Sequence, residues 1–519
     1  MAIAALLAHD SGSIPALIRL HAAQRPGHTA VIAGDERLDY AGFDQLMDRV
    51  AAALARDGAP VGGVIAIAAQ ASIGYLAVYL GAVRAGLSVA PLSPGVTAET
   101  LAAMVGDAGA AYLFLDAAVG RALDGAAAPV AATRIALDGS TAGRPLADWL
   151  AAPGTAPRDV ELAPAAPFNL IYSSGTTGTP KGIVQSHQMR WAHVRRGDRV
   201  GYGPGAITLM STPLYSNTTL VSVLPTLALG GTLVVVTRFD AAQFLRLAER
   251  HRVTHAMLVP VQYDRILDHP DFDRTDLSSF RMKFCTSAPF SAELKARVLR
   301  RWPGGLIEYF GMTEGGGTCI LVAHQFPDKL HTVGTPADGH ELRVIDEHGR
   351  EVARGEVGEL VGRSPTAMMN GYHGQPAETA AAEWYDATGQ RFIRTGDLGS
   401  VDADGFFTIV GRRKDVIISG GFNIYPIDLE TALVAHAAVV EAAVVGVASA
   451  RWGETPVGFV VLAPGQAEAP EVLRAFANAR LGNTQRLADV VVVSALPRSA
   501  IGKVLKRELR TMYAGPAGR

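Results

Sequence analysis

The sequence of 519 residues contains only two cysteines, Cys285 and Cys319. Two thiols in a chain of this length exclude a disulfide framework, and their spacing matches no zinc or redox motif. The sequence also lacks a large excess of either positive or negative residues, since the formal net charge is -2. Such a chain has no global basic field to hold a nucleic-acid backbone or an anionic membrane surface. The composition therefore predicts a reducing compartment and no nucleic-acid partner.

A segment suited to crossing a membrane is missing as well. Residues 59–83 carry no charge, but Pro60 and several glycines interrupt them. This pattern favours a buried strand over Val64–Ala68 followed by a buried helix over Ile73–Ala85. The N-terminus lacks the basic segment of a secretory signal. We expect a soluble, cytoplasmic protein without an integral membrane segment.

Short apolar runs alternate with helical patterns in the first two thirds of the chain. Continuous apolar strands separated by helices predict parallel α/β layers with both sheet faces covered. The predicted strands are Val64–Ala68, Ala111–Leu115, Leu170–Ser173, Thr232–Val236, His255–Val259 and Leu342–Ile345. The predicted helices include Tyr40–Asp57, Ile73–Ala85, Ala241–His251 and Ala292–Trp302.

The pattern of predicted strands and turns changes after about residue 334. Short strands with tight Gly/Asp turns predict a small antiparallel, barrel-like segment. From Lys414 onward, helical and strand patterns predict a small α+β unit that ends in a basic helix. With 519 residues, two or more domains are expected. We place the boundary between Arg413 and Lys414, giving domains of residues 1–413 and 414–519.

The segment 172–182, YSSGTTGTPKG, follows the apolar run Phe168–Ile171. Its glycines permit close backbone approach, and its hydroxyls and N–H groups can cradle phosphate oxygens beside the Lys181 cation. A surface turn rich in Ser, Thr and Gly is the plainer alternative, but it needs neither a buried upstream strand nor a lysine. The P-loop of NTPases does not fit, because Gly182 stands where that motif needs Ser or Thr and Pro180 disrupts its helix-opening geometry.

This loop resembles the signature of the adenylate-forming superfamily, which includes acyl-CoA synthetases, firefly luciferase and the adenylation domains of peptide synthetases. Further resemblances follow in the same order along most of the chain, and acyl-CoA ligases are the nearest group. They are SAP at 287–289, YFGMTE at 309–314, RTGDL at 394–398, GRRKD at 411–415, SGGFNIYP at 419–426 and PRSAIGK at 497–503. The resemblance implies two stacked α/β subdomains with a barrel-like segment, followed by a mobile C-terminal domain.

The resemblance also implies which residues bind the nucleotide and coenzyme A. Thr313 would bond the α-phosphate, Glu314 would hold Mg²⁺, and Asp397 would accept the ribose hydroxyls. Phe310 stands where the family usually has Tyr, which keeps ring stacking and loses a phenol hydrogen bond. The full implied set for ATP and coenzyme A is Ser173, Ser174, Gly175, Thr176, Thr177, Gly178, Lys181, Ser287, Ala288, Pro289, Glu308, Tyr309, Phe310, Gly311, Asp397, Arg412, Gly420 and Gly421.

Lys503 matches the C-terminal catalytic lysine of the family, although Ile501 stands where Thr is common. An isolated lysine would ordinarily be a solvated charge. The resemblance implies that a carboxylate attacks the α-phosphorus of Mg·ATP beside Lys503, with loss of pyrophosphate. Rotation about the hinge Lys414 would then bring the Gly420-Gly421 loop and the coenzyme A thiol to the acyl adenylate.

Residues 215–218 with Met312 match the acyl pocket: Tyr215, Ser216, Asn217 and Thr218. Ser216 stands where acyl-CoA synthetases often have His. No Asp or Glu lies between Thr212 and Thr237, which argues against an amino-acid substrate and leaves fatty and aromatic acids open.

Alternatives remain for the acceptor and the activity. The acceptor could be coenzyme A or a carrier protein, and a non-catalytic nucleotide-binding relic is the third hypothesis. A homodimer and a lysine acetyltransferase that modifies Lys503 are the other candidate partners, since acetylation would remove the charge of the lysine.

Overall fold

A computed structural model describes residues 2–125, 130–173, 181–482, 485–499 and 502–513. The chain divides into two compact units. The first comprises 1–330, 336–341 and 362–393, and the second comprises 331–335, 342–361 and 394–519. The boundary at Arg413 and Lys414 stays a prediction, because compactness does not locate a hinge.

Helices occupy both units. They are α1 Ala2–Leu7, α2 Ile14–Gln24, α3 Tyr40–Arg56, α4 Ile73–Arg84, α5 Ala98–Asp107, α6 Ala117–Asp124, α7 Leu146–Trp149, α8 His187–Arg199, α9 Asn217–Ala228, α10 Ala241–Arg250, α11 Pro260–Leu267, α12 Ala292–Arg301, α13 Pro376–Ala381, α14 Pro426–Val434, α15 Pro470–Asn478 and α16 Lys506–Met512. Short 3₁₀ turns lie at Phe272–Arg274, Pro327–Lys329 and Arg413–Asp415. Among the described residues, no helix is both long and apolar enough to span a membrane.

The strands are β1 Thr29–Ala33, β2 Glu36–Asp39, β3 Val64–Ala68, β4 Ser88–Pro91, β5 Tyr112–Leu115, β6 Thr133–Ala136, β7 Arg144–Pro145, β8 Pro167–Ser173, β9 Lys181–Ser186, β10 Ile207–Met210, β11 Thr232–Val235, β12 His255–Leu258, β13 Met282–Cys285, β14 Gly305–Phe310, β15 Cys319–Val322, β16 Thr335–Pro336, β17 Glu341–Ile345, β18 Gly358–Arg363, β19 Gly371–Tyr372, β20 Glu383–Tyr385, β21 Arg391–Val401, β22 Phe407–Arg412, β23 Ile417–Ser419, β24 Phe422–Ile424, β25 Val439–Ser449, β26 Gly453–Leu462 and β27 Asp489–Val492.

Two mostly parallel sheets build the first unit. One has the order β15-β14-β13-β12-β10-β11-β1-β2 and the other β19-β9-β8-β4-β3-β5-β6-β7. Strands such as β5 and β12 are buried at every residue, as expected of strands covered on both faces. Local signals set the helix starts; α3, for example, follows Asp39, whose carboxylate accepts the Gly42 N–H at 2.8 Å.

The two sheets share one hydrophobic core, which confirms the predicted stacking of α/β subdomains. Ile65 and Ile67 of one sheet and Val31 and Leu233 of the other belong to a single buried cluster. Helices α2, α3, α4, α8 and α9 contribute buried residues to the same cluster. The first unit therefore has its main core between the sheets.

The barrel-like segment is a curled sheet around the long strand β21. In the first unit β21 pairs with β20 (Trp384↔Phe392), and in the second unit it pairs with β22 (Ser400↔Thr408), both antiparallel. The C-terminal part of the second unit has the sheet order β24-β23-β26-β25, with β27 beside β26. Helices α14 and α15 pack on this sheet through Leu429 and Leu473, so the predicted α+β unit is confirmed.

Candidate active site

The predicted phosphate loop begins at the last residue of β8 and reaches the first residue of β9. Ser173 and Lys181 are register partners on these antiparallel strands, so the strands hold the two ends of the loop together. The predicted loop residues between them, Ser174, Gly175, Thr176, Thr177 and Gly178, lie outside the described residues.

A chain of contacts connects Lys181 to Glu314. The ammonium of Lys181 pairs with Glu378 and lies 5.3 Å from the centroid of the Tyr372 ring. The Tyr372 hydroxyl donates to Oε1 of Glu314 at 2.9 Å. Pairing of β19 with β9, in which Tyr372 opposes Ile183, positions the ring between the two charges. The predicted phosphate-binding cation and the predicted metal ligand are therefore brought together.

Tyr372 remains a hydrogen-bond donor throughout the physiological pH range. Burial raises the pKa of its phenol, and the charge of Glu314 and the hydrogen bond to it raise that pKa further. The hydroxyl occupies one of about four acceptor positions of the carboxylate. The carboxylate of Glu314 is thus oriented and still has lone pairs for another partner.

The surroundings of Glu314 fit Mg²⁺ that arrives with a nucleotide. No group of three or more His, Cys, Asp or Glu side chains among the described residues could hold a metal ion. Mg²⁺ usually takes one or two protein carboxylates and completes its shell with phosphate oxygens and water. A single oriented carboxylate near a phosphate loop meets that requirement, whereas an all-protein cage would need more ligands.

A buried polar network around Arg190 and Gln185 contacts the Thr313 carbonyl. The sequence motifs did not predict this network. Arg190 on α8 is 0% exposed and donates to Oδ1 of Asn169 at 2.7 Å and to Oδ1 of Asn217 at 2.9 Å. The Gln185 amide accepts from Asn169 and Arg190 and donates to the carbonyl of Thr313 at 2.6 Å. The network joins β8 and β9 to the Thr313-Glu314 segment. Polar residues inside the apolar strand segments FNLIY and GIVQS were the signal that could have revealed it.

The predicted acyl pocket surrounds the N-terminus of α9. Ser216 is the N-cap of this helix, and its side chain accepts the Thr218 N–H at 3.3 Å. Hydroxyls of Thr218 and Ser287 are hydrogen-bonded to each other. Tyr215 and Asn217 are half-buried beside them. Four predicted pocket residues therefore lie together and contact a predicted wall of the adenine site.

Met312 is the fifth predicted pocket residue. It packs against the small cluster of Ile183, Met369 and Ile393, as Tyr372 does. Its role in the pocket stays a prediction.

The predicted adenine segments follow the carboxyl ends of neighbouring parallel strands. Cys285 of β13 and Glu308 of β14 are register partners, so Ser287-Ala288-Pro289 and Phe310-Gly311 emerge at the same sheet edge, where parallel sheets commonly bind ligands. Ser287 has φ of 81°, a left-handed conformation that is uncommon for serine. Strain of this kind clusters at functional sites.

At this sheet edge, the side chains of Glu308 and Tyr309 already contact other residues of the protein. Glu308 is 5% exposed and forms an ion pair with Lys295. Burial raises the pKa of Glu308 to about 7, and the lysine opposes that rise. Tyr309 stacks on Phe284 with ring centroids 5.8 Å apart. Tyr309 and Phe310 are both half-buried.

In the second unit the structure gathers four predicted functional residues. Asp397 is buried, and its Oδ1 lies 2.6 Å from Nε of Arg412, its register partner. Burial raises the pKa of Asp397, while the charges of Arg412, Lys503 and Lys414 oppose that rise. The predicted ribose acceptor, hinge residue and catalytic lysine therefore lie within electrostatic range of one another.

Lys503 is exposed at the level of the whole residue. Surrounding protein nevertheless lowers the pKa of its ammonium, and the cations of Arg412 and Lys414 lower it further. The Ser499 N–H donates to the Lys503 carbonyl at 2.9 Å. Burial also lowers the pKa of Lys414.

Gly420 and Gly421 form the turn between β23 and β24. Their φ values are 58° and 85°, and a Cβ on Gly420 would lie 2.9 Å from the Trp452 ring. Both glycines are exposed. Only glycine fits this turn without strain, and its exposed backbone permits close approach of a ligand.

Comparisons with known proteins show to which family the chain belongs. Residues 18–373 match the AMP-binding enzyme family and residues 428–503 match the AMP-binding enzyme C-terminal domain. The chain is 31% identical to the fatty acid–[acyl-carrier-protein] ligase ScoC of Streptomyces coeruleorubidus, with 96% of each protein covered. It is 32% identical to a feruloyl-CoA synthase of Amycolatopsis sp, covering 94% of this chain and 96% of the relative.

Solved structures support the same relationship. The ATP-bound MatB of Rhodopseudomonas palustris superimposes with a TM-score of 0.87 at 29% identity, covering 97% of this chain and 99% of that one. The family match spans more than half of the chain. The chain therefore belongs to the AMP-binding enzyme family, the adenylate-forming enzymes that include acyl-CoA synthetases.

Proposed function

We propose that this protein activates a fatty or aromatic carboxylic acid with Mg·ATP and transfers the acyl group to coenzyme A. In the first step a carboxylate oxygen bonds to the α-phosphorus and the bond to the β-phosphate oxygen breaks, releasing pyrophosphate. In the second step the thiol sulfur bonds to the acyl carbon, its proton passes to solvent, and AMP leaves. The named relatives are a fatty acid–[acyl-carrier-protein] ligase and a feruloyl-CoA synthase, which supports an aliphatic or an aromatic acid.

One observation carries the proposal: buried Asp397 lies 2.6 Å from its register partner Arg412, and the charge of Lys503 acts on the same carboxylate. A residue that accepts ribose hydroxyls and a lysine that stabilises charge on the transferring phosphoryl group would have to work on the same nucleotide. Preorganised cations of this kind stabilise the charge that develops in the transition state. Mg²⁺ bound at Glu314 would neutralise phosphate charge further.

The remaining residue roles follow from the same proposal. Lys181 and the loop that begins at Ser173 would bind the β- and γ-phosphates, and Thr313 the α-phosphate. The Ser287–Pro289 segment and Phe310 would enclose adenine. Two partnered side chains would first have to exchange contacts: Arg412 would share Asp397 with the ribose, and Lys181 would leave Glu378.

A carrier protein is the second candidate acceptor, and a specific observation favours it. The relative ScoC, matched over 96% of its length, is a fatty acid–[acyl-carrier-protein] ligase. The exposed Gly420-Gly421 turn would suit a pantetheine arm on coenzyme A or on a carrier protein equally. The two acceptors therefore have to be separated by assay.

The test is pyrophosphate release from a panel of fatty and aromatic acids, with coenzyme A, with a phosphopantetheinylated carrier protein, or with neither. Acyl-CoA formation that depends on the acid and ATP supports the proposal. Acyl transfer to the carrier protein alone would assign the second candidate. ATP binding without pyrophosphate release for any acid would indicate a nucleotide-binding protein without this activity.

Three further expectations stay proposals. Exposure of Lys503 makes it accessible to a lysine acetyltransferase. A homodimer is a candidate assembly, and a cytoplasmic location is expected because the sequence has only two cysteines. Mass spectrometry that found acetylated Lys503 in fully active protein would contradict the regulatory role of that modification.

A further inference from the structure

Two arginines of α8, Arg190 and Arg196, have no carboxylate partner among the residues that the structure describes. Arg190 pairs with amide oxygens. Arg196 has His340 Nε2 at 3.3 Å and the Tyr309 ring, whose centroid lies 5.9 Å from its guanidinium carbon. In the described part of the chain neither forms an ion pair with Asp or Glu, and the residues outside it include no Asp or Glu.

The outer arginines of the same helix differ. Arg195 pairs with Asp10 at 2.6 Å, and Arg199 pairs with Asp338 at 2.7 Å. Acidic partners are therefore present where α8 faces solvent and missing where its cations face inward. Buried charges are usually paired, because an unpaired one is costly to desolvate.

Neighbouring side chains do not supply the missing negative charge. His193 lies between the two arginines on α8, and burial lowers its pKa well below its usual range, with Arg190 and Arg196 adding to the effect. Burial also lowers the pKa of His340 to about 4. Both rings are therefore neutral near pH 7. Burial lowers the pKa of Arg190 to about 10, so Arg190 keeps its charge at that pH. Burial also lowers the pKa of Arg196.

Arg190 adjoins the predicted acyl pocket, and Arg196 lies further along the same helix. Arg190 donates to Asn217, and the neighbouring Thr218 is hydrogen-bonded to Ser287. Arg196 lies over Tyr309, on the strand that leads to the Thr313-Glu314 segment. Arg196 is half-buried rather than enclosed, so a ligand atom could reach it, whereas fully buried Arg190 acts only through Asn217.

We propose that the acid activated by this protein carries a second oxygen group, a carboxylate or a phenolic hydroxyl, which binds Arg196. This inference rests on the proposed function and narrows its substrate class. A cation whose protein partners are an uncharged ring nitrogen and an aromatic face would select acids that supply a negative or hydrogen-bond-accepting oxygen.

The experiment compares matched acids in the pyrophosphate-release assay. The pairs are hexanoate with adipate, octanoate with suberate, and cinnamate with 4-hydroxycinnamate, which separate a carboxylate from a phenolic oxygen. We expect kcat/KM to be at least about tenfold higher for the acid with the second oxygen group in at least one pair, since a site built to bond such a group rejects the analogue that lacks it. Arg196→Met should bring that ratio to about one.

Arg195→Met is the matched control, because it removes an arginine of the same helix that already has an aspartate partner. It should leave the ratio unchanged. A wild-type ratio near or below one in every pair would overturn the inference, and this result needs no variant. An equal loss for both members of a pair in Arg196→Met would also overturn it, by indicating a structural role. If no acid in the panel or in the wider assay releases pyrophosphate, the proposed function itself fails.

Discussion

Tyr372→Phe is the most direct test of how the Glu314 carboxylate is held. The change removes one hydroxyl that donates to Glu314 at 2.9 Å and leaves the ring beside Lys181. A hydrogen bond to a charged group contributes about 1.5–3 kcal/mol. Both residues are half-buried, so we take the lower end of that range. If the bond orients Glu314 for Mg·ATP, kcat/KM for Mg·ATP should fall about tenfold, which corresponds to about 1.4 kcal/mol.

The assay is pyrophosphate release at varied Mg·ATP, with thermal melting as a check of folding. Tyr385→Phe is the matched control, since the Tyr385 hydroxyl donates to Glu383 at 2.7 Å but its residue is 53% exposed. An exposed contact of this kind should change activity and stability little, within about 0.5 kcal/mol. Unchanged kcat/KM in Tyr372→Phe, or an equal loss in both variants, would refute the reasoning.

Three other predictions concern the buried and clustered cations. Lys503→Ala should lower the rate of pyrophosphate release ~10²–10³-fold, whereas calorimetry should find that ATP affinity is retained. Arg507→Ala, a change at an exposed residue of the same region, should leave that rate unchanged. Equal effects of the two variants would contradict the catalytic role of Lys503. Because the pKa of Lys503 is lowered from 10.5 and its charged form is the active one, kcat/KM should begin to fall with rising pH below pH 10.5; a pH–rate profile that stays flat to that pH would contradict this. Arg190→Met should destabilise the protein by about 2–4 kcal/mol, since buried amide oxygens lose a charged donor, whereas Arg199→Met should cost about 0–1 kcal/mol; similar denaturation midpoints would contradict the network.

The elements of the fold could be predicted because their signals are local. The helix predicted over Tyr40–Asp57 is observed at Tyr40–Arg56, and the strand predicted over Val64–Ala68 is observed with those bounds. Continuous apolar runs indicated strands covered on both faces, and the shared core confirms that burial. The order of the motifs likewise identified the family before any fold was known.

Contacts distant in sequence could not be predicted in the same way. Nothing in the segment around Tyr372 indicates that its hydroxyl meets Glu314, 58 residues earlier. Arg190 lies in the segment QMRWAHVRR, where four polar or charged neighbours suggest a solvated helix face, yet it is fully buried while Arg195 and Arg199 pair outside. Which arginine is inside depends on the angle at which α8 meets the sheet.

The sequence by itself therefore determined the type of chemistry, through residue types at motif positions, and the sites at which strands and helices begin and end. Tertiary structure alone decided which charges have partners: Asp397 with Arg412, Glu308 with Lys295, and Arg196 without a carboxylate. The physical reason is that backbone preference acts over a few neighbouring residues, whereas the free energy of a charge depends on every group packed around it and on its distance from water.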